Sequence, residues 1–174
     1  MKTLNLQKFG INGSISQLDL RQESNQFALN YTKNITHQMI GQLIAGVGRN
    51  VVWSWGTAGL VGLCYEARNS DGEQTALIPE LIFHVQGILL PDGYVHIVYD
   101  EGNDTYIVIT TDKEGTIMQS ATDVYCDSLG NVIDSFVERD PSWTDDEYLQ
   151  RANAATVAQG MPPIMNENKE LLKI

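Results

Sequence analysis

The side chains best suited to proton transfer or nucleophilic attack are three histidines and two cysteines, His37, His84, His96, Cys64 and Cys126, and they are scattered along the chain. If His96 and Cys126 lay on adjacent strands, they could meet beside a carboxylate from Asp100 or Asp104. That is the raw material of a site in which an imidazole takes the proton of a thiol nucleophile. The local pattern argues against it, because alternation within Tyr94-Val95-His96-Ile97-Val98-Tyr99 gives His96 an outward place on a strand. No nucleophile elbow, phosphate loop or zinc-protease motif is present. Cys-x-x-Cys and His-x-x-x-His spacings are also missing, so the expectation is a non-enzyme with no catalytic residue, no metal ligand and no cofactor.

Oxygen and aromatic groups offer two further chemistries. Asp100, Asn103 and Asp104 share one loop and could supply oxygens to Ca²⁺, but their spacing is not that of an EF-hand, and Asp, Asn and Gly are what a hairpin turn prefers. Trp53 and Trp55, two apart on an expected strand, would point to one face. With Tyr65 they form a candidate ligand-binding surface on which flat rings could stack against a sugar, and Tyr94, Tyr99 and Tyr106 add further rings. The competing expectation is that this face is core or subunit interface, the commoner fate of paired Trp.

Positioning these groups requires a β scaffold. Between residues 94 and 137, four runs rich in Val, Ile, Thr and Tyr are separated by Gly-containing turns, at Asp100-Glu101-Gly102-Asn103-Asp104, Asp112-Lys113-Glu114-Gly115 and Asp127-Ser128-Leu129-Gly130-Asn131. Turns this short force antiparallel pairing, because a parallel return needs a crossover of a dozen or more residues. Two more strands are expected at Val51-Val52-Trp53-Ser54-Trp55 and Leu60-Val61-Gly62-Leu63-Cys64-Tyr65, and one or two within Ala76–Leu90, where Glu80, His84 and Gln86 interrupt an apolar run. Both cysteines fall in expected strands and read as buried thiols.

Two helices are expected. Met39, Ile40, Leu43, Ile44 and Val47 share a helical face, giving a short helix near 36–47 with Thr36 as N-cap. Thr144-Asp145-Asp146-Glu147 is a capping box that starts a second helix near 145–159, ended by Gly160 ahead of Pro162 and Pro163. The expected fold class is mainly β, an antiparallel β-sandwich or barrel with a meander at 94–137. The expected organisation is an N-terminal arm or edge strands over 1–32, a β body over 33–140, a helix over 141–160 and a tail over 161–174.

Composition narrows the function. Twenty-two acidic against eleven basic side chains give a net charge of −11, which repels phosphate backbones and disfavours nucleic acid as a partner. No apolar stretch has the length of a secretory signal or a membrane span, so the chain is expected to be made in the cytosol and to avoid the bilayer. At 43% hydrophobic residues it can bury a core of ordinary domain size.

The opening residues Thr3-Leu4-Asn5-Leu6-Gln7-Lys8-Phe9-Gly10 resemble the Leu-Asn-Leu-Gln-x-Phe start of capsid-associated proteins of tailed bacteriophages. The strand-and-turn layout is similar to the β modules of head fibres, decoration proteins and tail adaptors. The resemblance implies a structural or accessory protein of the virion, working through extended interfaces, forming homo-oligomers and binding other virion proteins. Its terminal arms would make those contacts, through Leu4, Leu6 and Phe9 at one end and Ile164, Leu171, Leu172 and Ile174 at the other. The alternative is a carbohydrate- or small-ligand-binding β-sandwich that uses Trp53, Trp55 and Tyr65.

Overall fold

A computed structural model describes residues 4–161, and among these six antiparallel strands, ordered in the sheet as in the sequence, form the frame. The strands are β1 (Ser14–Gln17), β2 (Ala58–Arg68), β3 (Gln74–Val85), β4 (Gly93–Asp100), β5 (Thr105–Asp112) and β6 (Ile117–Val124). Each pairs antiparallel with the next, in the order β1-β2-β3-β4-β5-β6. The expected short turns account for this: Asp112 closes the β5–β6 turn by accepting the Thr116 N–H on its side chain at 2.7 Å. The fold is mainly β with helical portions near both ends, as the sequence suggests.

Among the described residues four α-helices accompany the sheet: α1 (Gln26–Val47), α2 (Arg49–Ser54), α3 (Leu129–Val137) and α4 (Asp145–Ala158). Met39 and Leu43 of α1, Leu129, Ile133 and Val137 of α3, and Trp55 pack on one face of the sheet against Leu81, Phe83, Val85, Val95, Ile97 and Val108. The opposite face carries Tyr65, Ala67, Ile78, Val98, Ile107 and Ile109, packed with Leu6 and Ile11 of the N-terminal segment. Strand alternation sends successive side chains to opposite layers. Strands β3 to β5 therefore read as nearly continuous apolar runs, because both of their faces are covered.

The structure corrects five local expectations. Helix α1 spans 22 residues and begins well before Thr36, so the boundary drawn between residues 32 and 33 falls inside it. Thr36 is a mid-helix residue whose hydroxyl donates to the Thr32 carbonyl at 2.9 Å, so it does not cap the helix. The first turns carry polar and β-branched residues, and packing of Ala28 and Thr32 outweighs their modest propensity. Val51–Trp55 is helix α2 and its end, because the inward positions are Val51, Val52 and Trp55, a helical spacing.

Residues 132–137, expected as the fourth strand of the meander, lie in α3, where Leu129, Ile133 and Val137 recur every four residues on the buried face. Cys126 stands exposed just beyond β6, whereas Cys64 is buried as expected.

Helix α4 follows the sequence closely. Thr144 accepts the Glu147 N–H while the Glu147 carboxylate accepts the Thr144 N–H, so both halves of the capping box are present. At the other end Gly160 has φ of +77°, donating to the Val157 carbonyl, while Met161 donates to that of Thr156. These two bonds form a Schellman ending, which a glycine adopts without Cβ strain.

Candidate functional site

A chain of polar side chains crosses the interior of the sheet on the face under the N-terminal segment. Tyr65 of β2 donates its hydroxyl to Glu80 Oε2 of β3 at 2.8 Å, and His96 Nδ1 of β4 lies 2.7 Å from Glu80 Oε1. His96 Nε2 in turn lies 3.2 Å from the Thr111 hydroxyl of β5. The register explains the line. Tyr65 stands opposite Ile78, Glu80 opposite Val98, and His96 opposite Ile109, so each contact steps two residues along the neighbouring strand, always in the same direction. Diagonal pairs on one face lie within reach of long side chains.

Glu80, His96, Thr111 and Tyr65 are 0%, 1%, 1% and 3% exposed. A carboxylate at Glu80 accepts from both Tyr65 and the Nδ1–H of His96, which leaves Nε2 to accept the Thr111 hydroxyl proton. Burial and the adjacent Glu80 charge raise the Tyr65 phenol far above its usual range, so it stays a donor. The chain is satisfied throughout and sealed from solvent. It can hold four strands in one register, and a substrate outside the protein does not reach it.

A second polar group joins α3 to the β3–β4 connection. Asp134 accepts the Trp55 indole N–H at 2.8 Å, and Glu138, one helical turn on, accepts the Ile88 N–H at 3.1 Å. Leu89 and Leu90 both donate to the Val137 carbonyl, so three successive N–H groups clasp the end of α3. Gly87 is required there, since a Cβ would stand 2.2 Å from that carbonyl oxygen. Burial pushes Glu138 up to about 7, partly offset by the Ile88 N–H and reinforced by the Asp134 charge. Burial also raises Asp134, against the opposing pull of the Trp55 indole.

Several expected site residues are placed elsewhere by the fold. Trp53 and Trp55 do not share a face, because on a helix two residues diverge: Trp53 is 68% exposed and Trp55 is fully buried. Tyr65 is buried in the polar chain, so the three-residue stacking surface does not form. His96 also does not meet Cys126. Its face is that of Ile109, whereas Val124, which precedes the exposed cysteine, packs in the layer under the helices. His84 is paired with Asp92 near the surface, and exposed His37 contacts the Lys33 carbonyl.

The loop acids are occupied with the turn. Asp100 accepts from Gly102 N–H and the Asn103 amide, while Asp104 accepts the Tyr99 hydroxyl proton. Among the described residues, no group of three or more His, Cys, Asp or Glu is arranged to hold a metal ion.

Of the terminal contact residues, Leu6 is 1% exposed and packs on the chain's own sheet, with Leu4 and Phe9 against the same cluster. These three cover the second face of the sheet, whose apolar side chains need a lid, and so are not a free arm. Ile164, Leu171, Leu172 and Ile174 lie outside the described residues.

Among the described residues, both edges of the sheet lack a further paired strand. Among these residues strand β6 pairs only with β5, and Ile117 and Met118 on it are 42% and 55% exposed. At the other side, β1 covers only Tyr65–Arg68 of the longer β2. The free half of β2 exposes Leu60 and Val61 and borders an open groove of about 400 Å³ lined by Leu18, Leu20, Gly62 and Leu63 among others. Gly62 lies under α1, with the Thr32 and Thr36 methyls 3.6 Å from where a Cβ would stand, an ordinary contact distance.

Sequence reasoning noted Glu80 only as an interruption in an apolar run, and that lone charge between strand residues was the available signal. Asp134 and Glu138 were missed because their four-residue spacing carries meaning only on a helix. No described helix is long and apolar enough to cross a membrane. No protein-family model, curated protein or solved structure matches this chain.

Proposed function

We propose that this protein is a non-enzymatic assembly component, a structural or accessory protein of a virion, which joins copies of itself and other virion proteins through the open edges of its sheet. The observation that carries the reading is the pair of strand edges with no partner among the described residues, β6 with exposed Ile117 and Met118 and the free half of β2 with exposed Leu60 and Val61. An edge strand presents a row of unsatisfied N–H and C=O groups that templates pairing with another chain. Natural proteins blunt such edges with Lys, Pro, charges or bulges; Lys and Pro are absent from β6 and from the free half of β2, while both strands carry register slips. The sealing of Glu80 and His96 inside the sheet supports a non-enzymatic role. The phage-like opening residues suggest the virion as the setting. Leu4, Leu6 and Phe9 then serve the fold, and contact with neighbours passes to the strand edges.

Light scattering on a sizing column, across a range of protein concentrations, tests the proposal. Mass is expected to rise above that of one chain with concentration and to fall back in the variants Met118→Lys and Val61→Lys. A strict monomer at every concentration, unchanged by either substitution, would count against assembly through the edges.

A further inference from the structure

We infer that the β3–β4 connection, residues 86–91, is a latch on the end of α3 that acid tightens and neutral pH loosens, with the Glu138 carboxyl as the group that responds. The inference involves neither strand edge, so it stands or falls apart from the assembly reading.

The connection is built as a unit with few attachments. Its Gly87 N–H donates to the Leu90 carbonyl at 2.9 Å, a turn closed on itself, and the Gln86 N–H ties one end to the Trp55 carbonyl at 2.6 Å. The middle is held to α3 by three bonds that converge on its last turn, from Ile88 to the Glu138 carboxylate and from Leu89 and Leu90 to the Val137 carbonyl. Leu90 is buried in the core layer under the helices, whereas Ile88 and Leu89 are half-buried.

Glu138 sits where a negative charge is poorly tolerated. It is 5% exposed and occupies the C-terminal cap of α3, where the helix dipole is itself negative. The Asp134 charge, one turn earlier on the same helix, adds repulsion. From α4, Tyr148 faces both carboxyls as a neutral phenol, pushed up to about 12 by burial and by the charges of Glu138 and Asp134. Arg139 is the cation of this corner, but its guanidinium is drawn to Asp145 and lies over the Tyr148 ring at 5.1 Å. Its field acts on Asp134. Residues 86–91 bring no titratable side chain, and Asp92 beyond them is paired with His84. Among the described residues neither Asp134 nor Glu138 has an ion-pair partner within 4.0 Å.

An ionised Glu138 is therefore costly under the closed latch and well solvated once the latch lifts and water reaches it. The closed carboxyl is raised to about 7, chiefly by burial, and a hydrated one returns to the usual 4.5. Below 4.5 both forms carry the proton and the latch is at its tightest. Between 4.5 and about 7 the open form alone releases it, so opening grows with pH. Above about 7 both forms are ionised and opening stays at its maximum.

Native-state amide exchange, with each rate divided by the intrinsic rate at the same pH, tests the latch. Protection of the Ile88, Leu89 and Leu90 amides is expected to be at least about ten-fold lower at pH 8 than at pH 5. At pH 8 it should also fall below that of Val108, in the middle of the sheet. Equal protection at the two pH values would overturn the inference. So would latch amides that exchange in step with Val108 at pH 8, because the connection would then open only with the whole fold.

Glu138→Gln keeps an acceptor for the Ile88 N–H and cannot ionise. Its latch amides should be equally protected at pH 5 and pH 8, and a dependence as steep as that of wild type would assign the response to another group and overturn the inference. Asp134→Asn, which keeps an acceptor for the Trp55 indole and removes the like charge, provides a second arm, with circular dichroism confirming both folds. The loss of protection between pH 5 and pH 8 should be smaller in this variant than in wild type. An unchanged or larger loss would overturn the charge cluster as its cause.

Discussion

Glu80 and His96, on neighbouring strands β3 and β4, are in contact at 2.7 Å with side chains 0% and 2% exposed, and the hydroxyls of Tyr65 and Thr111 complete the line on either side. A buried charge is tolerated only when it is paired and hydrogen-bonded. The line also specifies register, since a slip of one residue between β3 and β4 would send Glu80 or His96 to the opposite face.

Removing one partner is therefore expected to cost more than removing the group. Glu80→Leu should destabilise the fold by about 3 kcal/mol, because His96 and Tyr65 lose their acceptor inside the protein. Adding His96→Leu and Tyr65→Phe to that variant should recover part of the loss. Urea unfolding of the single and triple variants measures this; a triple variant no more stable than the single would show that apolar packing cannot replace the line.

Glu138 should leave a pH signature. Its carboxyl is raised from the usual 4.5 to about 7, chiefly by burial. Between these values the folded protein holds a proton that the unfolded chain has released, so stability drops as pH rises through about 7 and the full penalty remains above it. A shift of that size corresponds to about 3 kcal/mol. Glu138→Gln, which keeps an acceptor for the Ile88 N–H, should equal wild type below pH 4.5 and exceed it at pH 8. Melting temperatures at both pH values decide it, and parallel curves would mean that Glu138 is already hydrated in the native state.

The two tryptophans of the α2 region should behave unlike each other. Trp55→Ala is expected to cost about 3–5 kcal/mol, as for large aromatic truncations in a core, and to release Asp134 from its indole partner. Trp53→Ala should stay within about 0.5 kcal/mol, as surface changes do. Comparable losses at both positions in denaturant titrations would place the rings on one buried face after all.

Thiol chemistry offers a fast check on the end of β6. Cys126 is exposed and Cys64 is buried, with burial raising the Cys64 thiol above its usual range. An aromatic disulfide reagent should label one thiol quickly in native protein and the second only on unfolding. Mass spectrometry of the labelled peptide should identify Cys126; rapid labelling at Cys64 would contradict its place under α1.

What the sequence determined by itself was the local code. Gly-containing turns at 100–104 and 112–115 dictated antiparallel neighbours, and Thr144 with Glu147, followed by Gly160, set both ends of α4, because caps and tight turns are decided within a few residues. Tertiary structure decided the segments whose intrinsic preferences are weak or contrary. Val51–Trp55 has strand-forming residues but is helical where it follows α1 and inserts Trp55 into the core, and residues 132–137 are helical because Ile133 and Val137 fill the same layer. The pairing of Glu80 with His96 joins residues 16 apart in sequence and depends on strand register. The open edges of β2 and β6 were illegible for the same reason: whether a strand has a neighbour is a property of the assembled sheet, and no residue within the strand records it.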